Sequence, residues 1–171
     1  MIRGLRNVAT LVLLAASLFS CSSKDTPMTK SKAAAEILGN PEYRAISFGG
    51  YRGKERAKQP TIPQLKEDLK IMSAMGIKIL RTYNLQLAHA PNVLKAIREL
   101  KNEDPTFEMY VMLGVWIDCL NAWTDHPDHS IEDPKNNESE IQKAVRYATE
   151  YPDIVKVIAV GNEAMVHWAS S

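Results

Sequence analysis

Two cysteines in 171 residues cannot build a disulfide framework. Nor does the chain lean to one sign of charge. Its 21 Lys and Arg face 20 Asp and Glu, for a net charge of +1, which excludes both a polybasic nucleic-acid face and an acidic tail. Glycine and proline number 8 and 9, too few for a low-complexity or collagen-like chain. The N-terminal apolar run, residues 8–19, is too short to span a bilayer comfortably as a permanent helix. No GxGxxG or Walker sequence follows the first strand-like segment. The Gly49-Gly50 pair lacks the rest of either fingerprint, which counts against a dinucleotide or nucleoside-triphosphate fold. What remains is 45% hydrophobic and 24% charged, the composition of a soluble globular domain.

The apolar run follows Arg3 and Arg6 with no acid between, the pattern of a secretory signal. It ends in Leu18-Phe19-Ser20-Cys21, which resembles the lipobox of bacterial lipoproteins, and polar Ser22-Ser23-Lys24-Asp25 follows. The alternative is an uncleaved signal anchor with an incidental cysteine. The resemblance implies that residues 1–20 are a signal peptide and that Cys21 becomes the lipidated N-terminus. Residues 21–43 are then a polar tether, and acyl groups such as palmitate hold the protein on a bacterial membrane, expected to be the outer one, outside the cytoplasm. Cleavage would leave 19 basic against 20 acidic residues and Cys119 as the single free thiol.

From Arg44 onward, strand-like and helix-like segments alternate. Ala45 to Phe48, Ile77 to Tyr83, Phe107 to Trp116 and Ile154 to Val160 are short apolar runs. Between them, Pro63 opens a helix with Leu65, Leu69 and Met72 on one face and Gly76 as its stop. Pro91 opens a second, with Val93, Leu94, Ile97 and Leu100 at helical spacing. Asn137 to Glu140 has the form of an N-cap with a glutamate three residues on, and Ile141, Val145 and Ala148 give the third helix an apolar stripe. Residues 121–136 read as a long polar loop.

Apolar strands alternating with helices indicate a parallel α/β sheet. Strand starts near residues 44, 77, 107 and 154 suit βαβ units. A (β/α)8 barrel of the TIM type fits best, but such barrels take roughly 250 residues. Residues 44–171 hold only the first four β/α units, so the expectation is the N-terminal half of a barrel.

Barrel chemistry sits at the C-terminal strand ends. There the chain offers Gly49-Gly50-Tyr51, Arg81-Thr82-Tyr83-Asn84, Trp116-Ile117-Asp118 and Asn162-Glu163. Aromatic faces, a guanidinium, amides and a carboxylate are what a sugar site requires. Glu163 at a strand tip is suited to protonating a glycosidic oxygen, though a glutamate that merely begins a solvated loop has the same sequence.

The run Val157 to Glu163 (VIAVGNE) closely resembles the fourth-strand motif of glycoside hydrolase family 17, the β-1,3-glucanase-like enzymes. Ile79 to Tyr83 resembles that family's second strand, Leu113 to Trp116 its third, and Tyr147 to Ile154 the approach to its fourth. The resemblance covers about Ala45 to Glu163. It implies that Glu163 is the general acid/base, that Asn162, Arg81 and Tyr83 contact the sugar at the cleavage subsite, and that Trp116 is a pocket wall. It implies a β-glucan, polysaccharide or oligosaccharide, as substrate and neither metal nor organic cofactor. The family's nucleophile is a second glutamate near a seventh strand, which a half-barrel would not supply. The reading is therefore a lipid-anchored, retaining endo-β-1,3-glucanase-like hydrolase present as a truncated chain that needs the other half of its barrel. Its rivals are a β-1,3-glucanosyltransferase and a surface lipoprotein that binds glycan without cleaving it.

Other signals weigh less. His126 and His129 with Asp125 and Asp128 suggest a metal site, but Pro127 between them favours a solvated loop. Cys119 has no histidine beside it in sequence and reads as a small packing residue. Met72, Met75, Met109 and Met112 read as core, and the Arg52–Lys58 loop as a solvated basic face.

Overall fold

Thr61 and Asp133 mark where two of the helices must start, because each places a side-chain oxygen over the otherwise unpaired N–H groups of a first turn. In the computed structural model, which describes residues 31–162, the elements run α1 (Ala34–Ile37), β1 (Arg44–Ser47), α2 (Ile62–Ala74), β2 (Ile77–Arg81), α3 (His89–Glu103), β3 (Tyr110–Val115), β4 (Cys119–Leu120), β5 (Asp128–Glu132), α4 (Pro134–Glu150) and β6 (Val155–Val160). β1, β2, β3 and β6 form one parallel sheet in that order. The fold is mixed α/β, and strand order follows chain order without the reversal of a doubly wound sheet.

The main core lies between this sheet and the helices. Leu65 and Leu69 of α2, with Val93, Leu94, Ile97 and Leu100 of α3, pack on Leu80, Val111, Leu113 and Val115. Registered partners in a sheet point to the same side, so Ile46 beside Leu80, and Ile158 and Val160 beside Leu113 and Val115, belong to that helix-covered face. At the two outer strands they stay 42%, 40% and 66% exposed. A second cluster on the opposite face joins Ile37, Tyr43, Ile79 and Tyr110. Ile37 and Tyr43 fall within the stretch read as tether, so the packed part of the chain begins ahead of residue 44.

Several boundaries differ from the sequence reading. β3 is shorter than the 107–116 run, and α3 starts two residues before Pro91. α4 starts at Pro134, not near Asn137, because Asp133 accepts from the Asn136 N–H at 3.0 Å and proline suits the first helical position. Of the expected stripe only Ala148 packs on the core. Asn137, Glu140 and Ala144 are buried, whereas Ile141 and Val145 are 43% and 59% exposed. Residues 121–136 are not simply a loop: within them β5 pairs with the two-residue β4 as an antiparallel hairpin, and the polar β5 has no apolar alternation to announce it. Met75 caps α2 and is exposed, unlike Met72 and Met109. Arg52 is tied down, its guanidinium 2.6 Å from Asp68 and 3.3 Å from Glu67.

Candidate active site

The C-terminal end of the parallel sheet gathers three of the predicted residues. Arg81, the last residue of β2, donates through Nη2 to Oδ1 of Asn162 at 2.8 Å. Its guanidinium carbon lies 5.4 Å from the centre of the Tyr83 ring. Asn162 is buried, two residues beyond β6. With Oδ1 taken by Arg81, its Nδ2 group is the one left to donate to an incoming hydroxyl. Glu163 and Cys21 lie outside the described residues.

The backbone beneath this pair has no slack. Gly114 N–H donates to the buried Thr82 hydroxyl at 3.0 Å. A Cβ on Gly114 would stand 2.3 Å from the Thr82 carbonyl oxygen and 2.7 Å from Tyr83 backbone. Only glycine lets β3 pass so close under the chain that carries Arg81 and Tyr83.

Two polar residues of α4 hold the neighbouring loops. Glu140, buried inside the protein, accepts from the Leu85 N–H through both carboxylate oxygens, at 3.0 and 2.9 Å, and from the Trp116 N–H at 3.0 Å. Asn137 accepts from the Asp118 N–H and donates to the Asp118 carbonyl, both at 2.9 Å. Together they fix the chain leaving β2 and β3, which carries Tyr83 and Trp116. In sequence alone Glu140 reads as a capping glutamate. Its signal was there in Asn137, Glu140 and Ala144, which share one helix face.

Trp116 borders a cavity of about 490 Å³ that also reaches Asn162 and the β4–β5 hairpin. Its indole N–H donates to Asp118 Oδ1 at 2.7 Å. Trp123, absent from the sequence prediction, donates to the same carboxylate at 3.3 Å, and the two rings lie 5.7 Å apart at 40°. Trp123 is 70% exposed and has φ of +68°, an uncommon conformation for a bulky residue that costs about 1–3 kcal/mol. Cys119 does have a histidine neighbour after all: the hairpin brings His129 Nδ1 to 3.5 Å from its sulfur. Among the described residues, no group of three or more His, Cys, Asp or Glu could hold a metal ion.

His89, first in α3, was also missed. It is 5% exposed, its Nε2 makes no hydrogen bond among the described residues, and burial pushes its pKa down to about 4. Its ring packs against Phe48 and Tyr51 behind the end of β1.

No protein-family model matches the chain, and no curated protein matches it. Among solved structures, the crystal structure of an endo-laminarinase from Formosa Hel1_33_131 is 66% identical and superposes with a TM-score of 0.78. This chain is similar to part of an endo-laminarinase. The match takes in 82% of this chain and 36% of the laminarinase, so the chain spans little more than a third of that protein's length.

Proposed function

We propose that the chain belongs to a retaining endo-β-1,3-glucanase of glycoside hydrolase family 17 and supplies its acid/base half. The observation that carries this reading is the 66% identity to an endo-laminarinase over most of the chain. The Arg81–Asn162 pair at the sheet's C-terminal end supports it. The parallel strands, ordered as in the sequence, are then the first four of a (β/α)8 barrel, and exposed Ile46, Ile158 and Val160 await its remaining elements.

In this mechanism Asn162, oriented by Arg81, donates to a hydroxyl of the sugar at the cleavage point. Glu163, next in the chain, protonates the departing glycosidic oxygen while a second carboxylate about 5–5.5 Å away attacks the anomeric carbon. Glu163 then takes a proton from the water that hydrolyses the covalent intermediate. Tyr83 and Trp116 supply flat apolar faces for the pyranose rings. The N-terminal cysteine, Cys21, carries acyl chains that keep the enzyme at the outer membrane, facing polysaccharide outside the cytoplasm.

The test is reducing-end release from laminarin by the full-length parent enzyme. Glu163→Gln is expected to lower kcat by about 10³-fold while oligosaccharide binding persists. Release that is unchanged in this variant contradicts the assignment, and binding without any product in the unaltered parent favours a glycan-binding protein. For the anchor, palmitate labelling in a bacterial host is expected to be lost in Cys21→Ser.

A further inference from the structure

The β4–β5 hairpin bears an arrangement that packing does not explain. An indole with 70% of its surface in solvent gains little from burial, yet Trp123 keeps a left-handed backbone. Asp118 is one group that orients its ring. Both indole N–H groups, from Trp116 at 2.7 Å and Trp123 at 3.3 Å, converge on Asp118 Oδ1, and Trp123 also reaches Oδ2 at 3.4 Å. Asp118 is held in turn, since Asn137 binds its backbone N–H and carbonyl. The result is two aromatic platforms, tilted by 40°, on the wall of the 490 Å³ cavity that continues to Asn162.

We propose that this hairpin is a sugar-binding subsite beside Asn162, with Trp123 as its platform and Asp118 as the positioning residue that aims both indoles. A pyranose has an apolar C–H face and a hydroxyl rim. The first suits an indole face, and the second suits the polar groups that share the cavity wall, among them Thr124, Ser130 and Glu132. Because the platforms are fixed before the ligand arrives, binding does not have to order them. The identity of the sugar, a β-1,3-linked glucose chain, rests on the proposed hydrolase reading; the existence of the subsite does not.

Isothermal titration of the full 171-residue chain with β-1,3-linked glucohexaose tests the proposal. Trp123→Ala is expected to raise Kd about tenfold, Trp123→Phe about threefold, because the platform stays but its tie to Asp118 is lost. Asp118→Asn is expected to weaken binding severalfold with the far-UV circular dichroism unchanged, and to alter the near-UV indole bands. A Trp123→Ala chain that binds within twofold of the unaltered one overturns the subsite, as does the absence of binding to any glucan oligosaccharide. Trp123-dependent binding of cellohexaose without binding of the β-1,3 hexaose keeps the subsite and contradicts the β-1,3-glucanase reading. In the parent enzyme, hydrolysis whose KM and product lengths ignore Trp123→Ala overturns the subsite and leaves the hydrolase standing.

Discussion

α3 and α4 lie on the same sheet and bury different chemistry. α3 buries Val93, Leu94, Ala96, Ile97 and Leu100, an apolar stripe whose contacts are side chain to side chain. α4 buries Asn137 and Glu140 and leaves Ile141 and Val145 in solvent. The polar groups win that face because the backbone leaving β2 and β3 presents N–H groups that need acceptors once covered. α3 therefore holds the sheet, whereas α4 holds the loops that carry the site. The two also differ in how they treat a buried titratable group. Glu140 is met by backbone donors, while His89 sits with its Nε2 unmatched among the described residues.

That contrast can be broken by substitution. Glu140→Leu keeps the bulk of the side chain but strands the Leu85 and Trp116 N–H groups, and is expected to cost about 4 kcal/mol in urea denaturation. Glu140→Gln, which retains an acceptor oxygen, recovers part of that loss. Both variants are expected to change the near-UV signal of the tryptophans; an unchanged spectrum contradicts the loop-holding role. Next in size, Ile97→Ala in α3 is expected to cost about 3 kcal/mol and leave that spectrum alone.

His89 provides a smaller effect with a sign. Its folded-state pKa of about 4 lies below the usual histidine value, so between the two the unfolded chain binds a proton that the folded chain does not. Its contribution is intact above pH 6.5 and declines as pH falls towards 4, by about 2 kcal/mol at pH 5. Stability measured at pH 7.5 and pH 5 is expected to show this slope, reduced in His89→Asn; equal slopes contradict the assignment. Smallest of all, Ile141→Ser and Val145→Ser in α4 are expected to stay within about 0.5 kcal/mol of the parent chain. A loss near that of Ile97→Ala would mean that α4 buries its apolar stripe after all.

The same difference explains what could be read from the sequence. Apolar runs at 77–81, 110–115 and 155–160 and the period of α3 declared the parallel sheet, because apolar side chains and helical spacing mark those positions in the sequence itself. That Arg81, Tyr83 and Asn162 meet at one end of the sheet was legible because strand ends follow from strands. The hairpin was not, since Asp128–Glu132 has no alternation, and without the hairpin nothing links Trp123 to Asp118 or Cys119 to His129. Glu140 was misread because a glutamate on a helix serves a cap or a buried backbone with the same local sequence; tertiary contact separates the two.

On the proposed reading Glu163, next to Asn162 in the chain, is the acid/base of a retaining β-1,3-glucan hydrolase. Proton NMR of the anomeric signals during the first minutes of laminarin cleavage by the parent enzyme tests it most directly. The new reducing end is expected to appear first as the β-anomer, and Glu163→Gln is expected to suppress its appearance. A product that appears first as the α-anomer, or β-anomer formation at the parent rate in Glu163→Gln, would contradict it.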